Sequence, residues 1–268
     1  MEPLPQVPER GAPPEVAAIY AEIRTVSGLP VVNLIWRHFA ALPGVLPWAW
    51  AAVAPLIGSS AMDAARERMA AAIALPSLVE TGFAAWQEAG VTDHGIGQIR
   101  ALNEAYIRGN LTNILALTGL RLRLEHPDRA ASPRSPGAAS AHAPPPLPAL
   151  PRIDDLEAGL ADRIRMLAVR HGADGVIPSL YLALAPWPGV IDILPHWLAP
   201  LYDPAALHSA RASTCRLAEQ AALLPPPAPP PEAVAAMQPP LQLFTRVVIP
   251  DLIAVGFALR RLLPAEPA

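Results

Sequence analysis

The sequence contains no lysine: all 20 of its basic residues are arginine, and they lie scattered along 268 positions. That scatter fits a GC-rich coding sequence better than a concentrated guanidinium site. A single cysteine, Cys215, excludes an internal disulfide and suggests a reducing compartment, so a cytoplasmic protein is expected. The histidines are dispersed and have no cysteine pair to work with, so no metal is expected. Gly95-Ile96-Gly97 lacks the rest of a phosphate loop, and there is no Gly-x-Ser-x-Gly elbow; no cofactor is expected either. The net charge of −3 offers no basic footprint for nucleic acid. Met1 to Pro14 lacks the basic and apolar regions of a signal peptide. From Phe39 to Met62 there is no formal charge, a run long enough to span a bilayer. Pro43, Pro47 and Pro55, with Gly44 and Gly58, divide it, which suits a buried helix–turn–helix and argues against a membrane span.

What is abundant is Ala and Leu, strong helix formers, in a chain that is 52% apolar. Periodicity and breakers predict helices at 15–27, 31–41, 47–56, 60–74, 77–89, 92–108 and 111–124 in the first half. In the second half they predict 154–171, 178–185, 189–201, 204–223 and, kinked at Pro250, 240–263, with a weaker helix at 232–237. No stretch alternates like a strand, so the expected fold class is all-α.

The two halves are similar to each other. Pro43-Gly44-Val45 recurs as Pro188-Gly189-Val190, 145 residues later. The same offset carries Ala54-Pro55-Leu56 onto Ala199-Pro200-Leu201, Trp36 onto Tyr181, and Ala65-Arg66 onto Ala210-Arg211. LTGLRLRL near residue 120 resembles VGFALRRLL near residue 260, at an offset close to 140. The chain therefore reads as a disordered tail (1–13), helical repeat 1 (14–125), a flexible Pro/Ala/Ser-rich linker (126–151), helical repeat 2 (152–263) and a short tail (264–268). Two such repeats would pair as an intrachain pseudo-dimer with a pocket between them.

Three stretches carry a family resemblance: IYAEIRTVSGLPVVNLIWRHFAALPGVLPWAW (19–50), AYIRGNLTNILALTGL (105–120), and His171-Gly172 with the ALAPWPGV run (183–190). Together they resemble the group I 2-haloacid dehalogenases, over about residues 15–125 and 160–263. The resemblance implies an all-α pseudo-dimer that hydrolyses the carbon–halogen bond of a short 2-haloalkanoic acid. An Asp activates a water that attacks the halogen-bearing carbon directly, and an Asn helps to place water or substrate. It also implies a small-molecule substrate and a homodimer.

Carried over, the Asn is Asn110, but the Asp position falls on Leu180. Leucine accepts no proton, and general-base help is typically worth about 10²–10⁴-fold. The family's pocket aromatics fall on Val31 and Leu34, and a Tyr after the Asn becomes Asn113. An alignment gap would bring Asp174 near the missing carboxylate; the ungapped match of 176–190 to 31–45 leaves it upstream. Two readings stand: a dehalogenase with its base elsewhere, or a catalytically altered homologue that binds a small apolar or carboxylate ligand.

Each candidate has a structural counterpart reading. Asn110 is a pocket amide or a helix N-cap. Asn33 and Asn113 line the cavity or lie on helix surfaces. Asp251, in an apolar neighbourhood after Pro250, is a base of raised pKa or a carboxylate favoured by the first helical turn. Ser179 and Tyr181 flank the lost Asp as substrate-binding hydroxyls, with packing as the alternative for Tyr181. Arg37, beside His38, is a carboxylate clamp or a solvated helix edge. Cys215 reads as a small buried residue without signs of activation.

Overall fold

The structure, a computed structural model, describes residues 4–28, 31–133, 150–172 and 176–265. These residues form helices and connections, with no strand among them. In order the helices are α1 (Pro14–Ser27), α2 (Leu34–Phe39), α3 (Val45–Ile57), α4 (Ser60–Ala72), α5 (Phe83–Glu88), α6 (Asp93–Glu125), α7 (Ala158–Val169), α8 (Ser179–Ala183), α9 (Pro188–Trp197), α10 (Ala199–Tyr202), α11 (Pro204–Ala221), α12 (Val234–Leu243) and α13 (Ile249–Leu262).

Several helices start where a side-chain oxygen meets the first free amides. Ser59 Oγ accepts from the Met62 amide at 3.3 Å, Thr92 Oγ1 from Gly95 at 3.1 Å, and Asp203 Oδ1 from Ala205 and Ala206 at 3.0 Å each. The uncharged stretch predicted as helix–turn–helix bends by 80° between α3 and α4. The bend falls at Gly58-Ser59, while Pro47 sits in the first turn of α3, where an amide has no intrahelical acceptor to lose. Residues 234–262 are long and apolar enough to cross a membrane, yet 72% of that window is buried inside the fold.

Two expectations need correcting. The helices predicted to meet at Gly109-Asn110 are one 33-residue helix, α6, about 50 Å long. From Ala105 to Arg123 only Arg108 escapes full burial, so tertiary packing outweighs the helix penalty of Gly109. At the C-terminal end, the perturbation expected at Pro250 lies one turn earlier, as a wide turn over Phe244–Val248. Pro250 has no amide for the Arg246 carbonyl, which instead lies 3.6 Å from Cys215 Sγ.

Burial divides into two cores, and the halves of the chain interlock across them. The first core holds α1 to α4 and the C-terminal part of α6, and it also takes Met237, Leu241, Phe244 and Val248 from the far end of the chain. The second holds α7 to α10 and α13, and it takes Trp86 from α5 with Ile96, Ile99 and Leu102 from the start of α6. α6 and α13 pack closely: a methyl group on Gly256 would stand 2.9 Å from Ile107 Cγ1. The Asn103 amide donates to the Gly256 carbonyl at 3.0 Å, and Trp86 Nε1 to the Leu262 carbonyl at 3.0 Å. Each core thus draws on both halves of the chain, 14–125 and 152–263.

The N-terminal segment expected to be disordered is docked from residue 4. The Val7 amide donates to the Arg37 carbonyl at 3.0 Å, the Tyr20 hydroxyl to the Val7 carbonyl at 2.8 Å, and Glu9 pairs with Arg24. The start of the expected linker is also pinned. Arg123 is buried and donates to the carbonyls of Pro127 and Arg129, and the Ser132 amide donates to the Leu224 carbonyl at 3.0 Å. The rest of the linker, 134–149, and Asp174 lie outside the described residues.

Candidate functional site

One stripe of α6 gathers the polar groups on which the sequence reading depends. Tyr106, Asn110 and Asn113 follow at intervals of four and three, so they share a helix face. At one end the Tyr106 phenol lies close to Ser179, the first residue of α8. At the other, Trp36 Nε1 of α2 donates to Asn113 Oδ1 at 2.9 Å. The stripe therefore joins an early helix to a late one, and Asn110 lies between the two junctions. Its side chain makes no hydrogen bond among the described residues although the residue is 4% exposed. Lying mid-helix, it has no part in capping.

Arg37 completes this group. It is half-buried, desolvation lowers its pKa, and it acts electrostatically on the Tyr106 phenol. Its Nε is buried without a hydrogen-bond partner, as are Asn33 Oδ1 and Asn113 Nδ2. Glu9 is near Arg37, but its oxygens are taken by Arg24 and by the Val32 amide, the latter at 2.9 Å. Burial pushes the Tyr106 phenol up to about 12, with Ser179 and Arg37 opposing, so this hydroxyl stays protonated and can donate. Val31 and Leu34 are half-buried on the same side of the chain as Arg37, at the start of α2.

Of the remaining candidates, Tyr181 and Asp251 bond elsewhere, while Leu180 packs in the same apolar core as Tyr106. Leu180 is 0% exposed and belongs to the second apolar core. Tyr181 and Asp251 fall into a buried polar chain instead. Asp251, itself 0% exposed, accepts from Arg211 at both oxygens, Nε to Oδ1 at 2.8 Å and Nη2 to Oδ2 at 2.7 Å. His171 Nδ1 lies 3.1 Å from the same Oδ2, which assigns it the proton, so Nε2 accepts from the Tyr181 hydroxyl at 2.7 Å. Tyr181 then meets the Tyr202 hydroxyl at 3.1 Å. Bonding to Asp251 raises the Arg211 pKa, and burial holds Tyr181 well above the ordinary phenol range.

Both Asp251 oxygens are thus committed to Arg211 and His171 inside the protein. The sequence reading had Asp251, Tyr181 and His171 in view separately but missed Arg211, Tyr202 and Tyr106. The recurrence of Arg66 as Arg211 singled out that arginine in the sequence but not its partner.

Cys215 is half-buried with its thiol pKa raised by desolvation, in keeping with an unactivated residue. Among the described residues, no three His, Cys, Asp or Glu side chains converge as a metal site would require. A groove of about 620 Å³ runs between the end of α5 and the start of α9. It is lined by Glu88, Trp187, Asp192 and Trp197, and by none of the residues just described.

No family model matches the chain, and no curated protein matches it. Solved structures do. A D-2-haloacid dehalogenase mutant superposes with a TM-score of 0.79 at 22% identity, over 97% of this chain and 96% of that one. A mutant in complex with D-2-CPA gives 0.72 at 21% identity, and the enzyme with L-LA gives 0.72 at 22%. Each of these two alignments covers 97% of this chain and 94% of the other. The fold is that of the D-2-haloacid dehalogenases. In the D-2-haloacid dehalogenase fold as this chain builds it, the stripe from Tyr106 to Asn113 is the part of α6 that touches both α2 and α8.

Proposed function

We propose that this chain is a catalytically altered relative of the group I 2-haloacid dehalogenases, built by duplication, that binds a small carboxylate beside Asn110 without breaking a carbon–halogen bond. The duplication rests on the constant 145-residue offset and on helix order: α1 to α4 recur as α7, α8, α9–α10 and α11. The observation that carries the functional reading is the pairing of an unengaged amide with an unpaired cation. Asn110 is 4% exposed and Arg37 is half-buried, and neither side chain makes a hydrogen bond among the described residues. A carboxylate would supply charge to the guanidinium and an acceptor to the amide, and a charge-assisted bond in such a place is stronger than one in water. The Tyr106 hydroxyl on that stripe, with Ser179 of α8 close to it, suits a 2-substituent able to hydrogen-bond.

Hydrolysis needs a proton acceptor near the attacking water, and here that position is hydrocarbon. Asp251 is the one fully buried carboxylate among the described residues, and its oxygens are committed to Arg211 and His171. Expected behaviour is saturable thermal stabilisation by both enantiomers of 2-chloropropionate, lost in Arg37→Gln and weakened in Asn110→Ala. Stabilisation of equal size in Arg37→Gln would remove this site from the account, and chloride release by the natural protein would restore the enzymatic reading.

A further inference from the structure

Two arginines in the first half are short of negative charge. Arg66, on α4 with 9% of its side chain exposed, donates Nη1 to Thr112 Oγ1 at 3.2 Å and Nη2 to Asp63. Arg108 stands one turn before Thr112 on α6, close enough to Arg66 that its charge helps to lower the Arg66 pKa, after desolvation. Its Nε is buried without a hydrogen bond, and no carboxylate pairs with it among the described residues. Two other acids are near: Asp63, already held by Arg66, and exposed Glu67, which bonds to neither arginine.

The second half handles the same arginine differently. Arg211, 145 residues after Arg66, closes its fork on the Asp251 carboxylate. Beneath Arg66 the helix offers only the Thr112 hydroxyl, whose proton goes to the Arg108 carbonyl at 2.9 Å. The second half supplies a carboxylate; the first supplies a hydroxyl and adds a second cation.

We propose that the corner formed by Arg66, Arg108 and Thr112 binds a small carboxylate from solution, in the place that Asp251 fills for Arg211. The corner is open to solvent through half-buried Arg108 and through Asp63, whose side chain is 38% exposed. It is distinct from the Asn110 site. Around the helix, Arg108 stands about 160° from both Tyr106 and Asn110, and Thr112 about 160° from Asn110, so the two sites occupy different faces of α6.

The test is thermal unfolding of the full chain against acetate at constant ionic strength, in an Arg37→Gln background that removes the other carboxylate response. The melting temperature is expected to rise and saturate with acetate, and to stop responding when Arg108→Gln is added. Adding Thr112→Asp instead builds the carboxylate in, so the protein should melt a few degrees higher without acetate and respond to it no further. An acetate response unchanged by Arg108→Gln overturns the proposal, as does the absence of any response before that change. If Thr112→Asp fails to fold, the Arg108→Gln comparison still decides.

Discussion

Arg211 grips Asp251 with both arms, Nε on Oδ1 at 2.8 Å and Nη2 on Oδ2 at 2.7 Å, and so ties α11 to the first turn of α13. Bidentate geometry of this kind is the strongest form of an Arg–carboxylate pair. Removing the arginine would strand a carboxylate that has no exposure. Arg211→Met is expected to cost about 3 kcal/mol, the low end for breaking a buried pair, because a quarter of the Arg211 side chain is in water. Urea unfolding of Arg211→Met beside Arg211→Met/Asp251→Asn checks it: the double variant should recover part of the loss.

All four tyrosines are held above the ordinary phenol value of 10.0 by burial: Tyr20, Tyr106 and Tyr202 at about 12, and Tyr181 well above it. A folded-state pKa above the unfolded one stabilises the protein fully below the unfolded value and is lost as pH rises through the folded value. Between about pH 10 and 12 the unfolded chain releases phenolic protons that the folded chain retains, so stability must fall across that window. Tyrosinate absorbance should lag the behaviour of free tyrosine and then jump with loss of helical circular dichroism. A smooth titration near pH 10 with the helices intact contradicts this.

Much of the architecture was legible in the sequence, and for identifiable reasons. Thr92 predicts its own helix start, and α6 begins at the next residue, Asp93. All-helical class follows from Ala and Leu periodicity. What was illegible depends on contacts between distant residues. Gly109-Asn110 reads locally as a helix break, and only burial of α6 on all sides carries the helix through it. Residues 77–82 read as helix, but Pro76 and Gly82 interrupt the pattern and the Thr81 hydroxyl binds the Leu262 carbonyl instead. The interlocking of the two cores, and the pairing of Arg211 with Asp251 across 40 residues, leave no local trace. In the candidate site, the sequence pointed to Asn110 and Asn113, which share one face of α6, and to Ser179 on α8, but not to Tyr106, which lies between them.

Gly189 opens α9 with its backbone against Ala89, where a methyl group would run into the Ala89 carbonyl. Backbone cannot move aside as a flexible side chain can. Gly189→Ala is expected to destabilise by about 1–3 kcal/mol and to loosen the α5–α9 contact, while Gly97→Ala, with open space around it, should be neutral or better. Paired thermal melts of the two variants distinguish the effect of position from that of composition.

Leu180→Asp puts a carboxyl group into the second apolar core, at a position that is 0% exposed. Burial would raise its pKa, so its loss of stability should shrink as pH falls toward about 4 and grow at neutral pH. Chloride release in this variant would show that the position still faces a usable water; its absence, with that pH dependence, would mark Leu180 as core.

The most direct test follows the methyl signal of 2-chloropropionate by proton NMR in the presence of the natural protein. The account predicts saturable broadening of that signal, lost in Arg37→Gln, and no lactate signal however long the sample stands. Growth of lactate, or a signal unaffected by the protein, contradicts it.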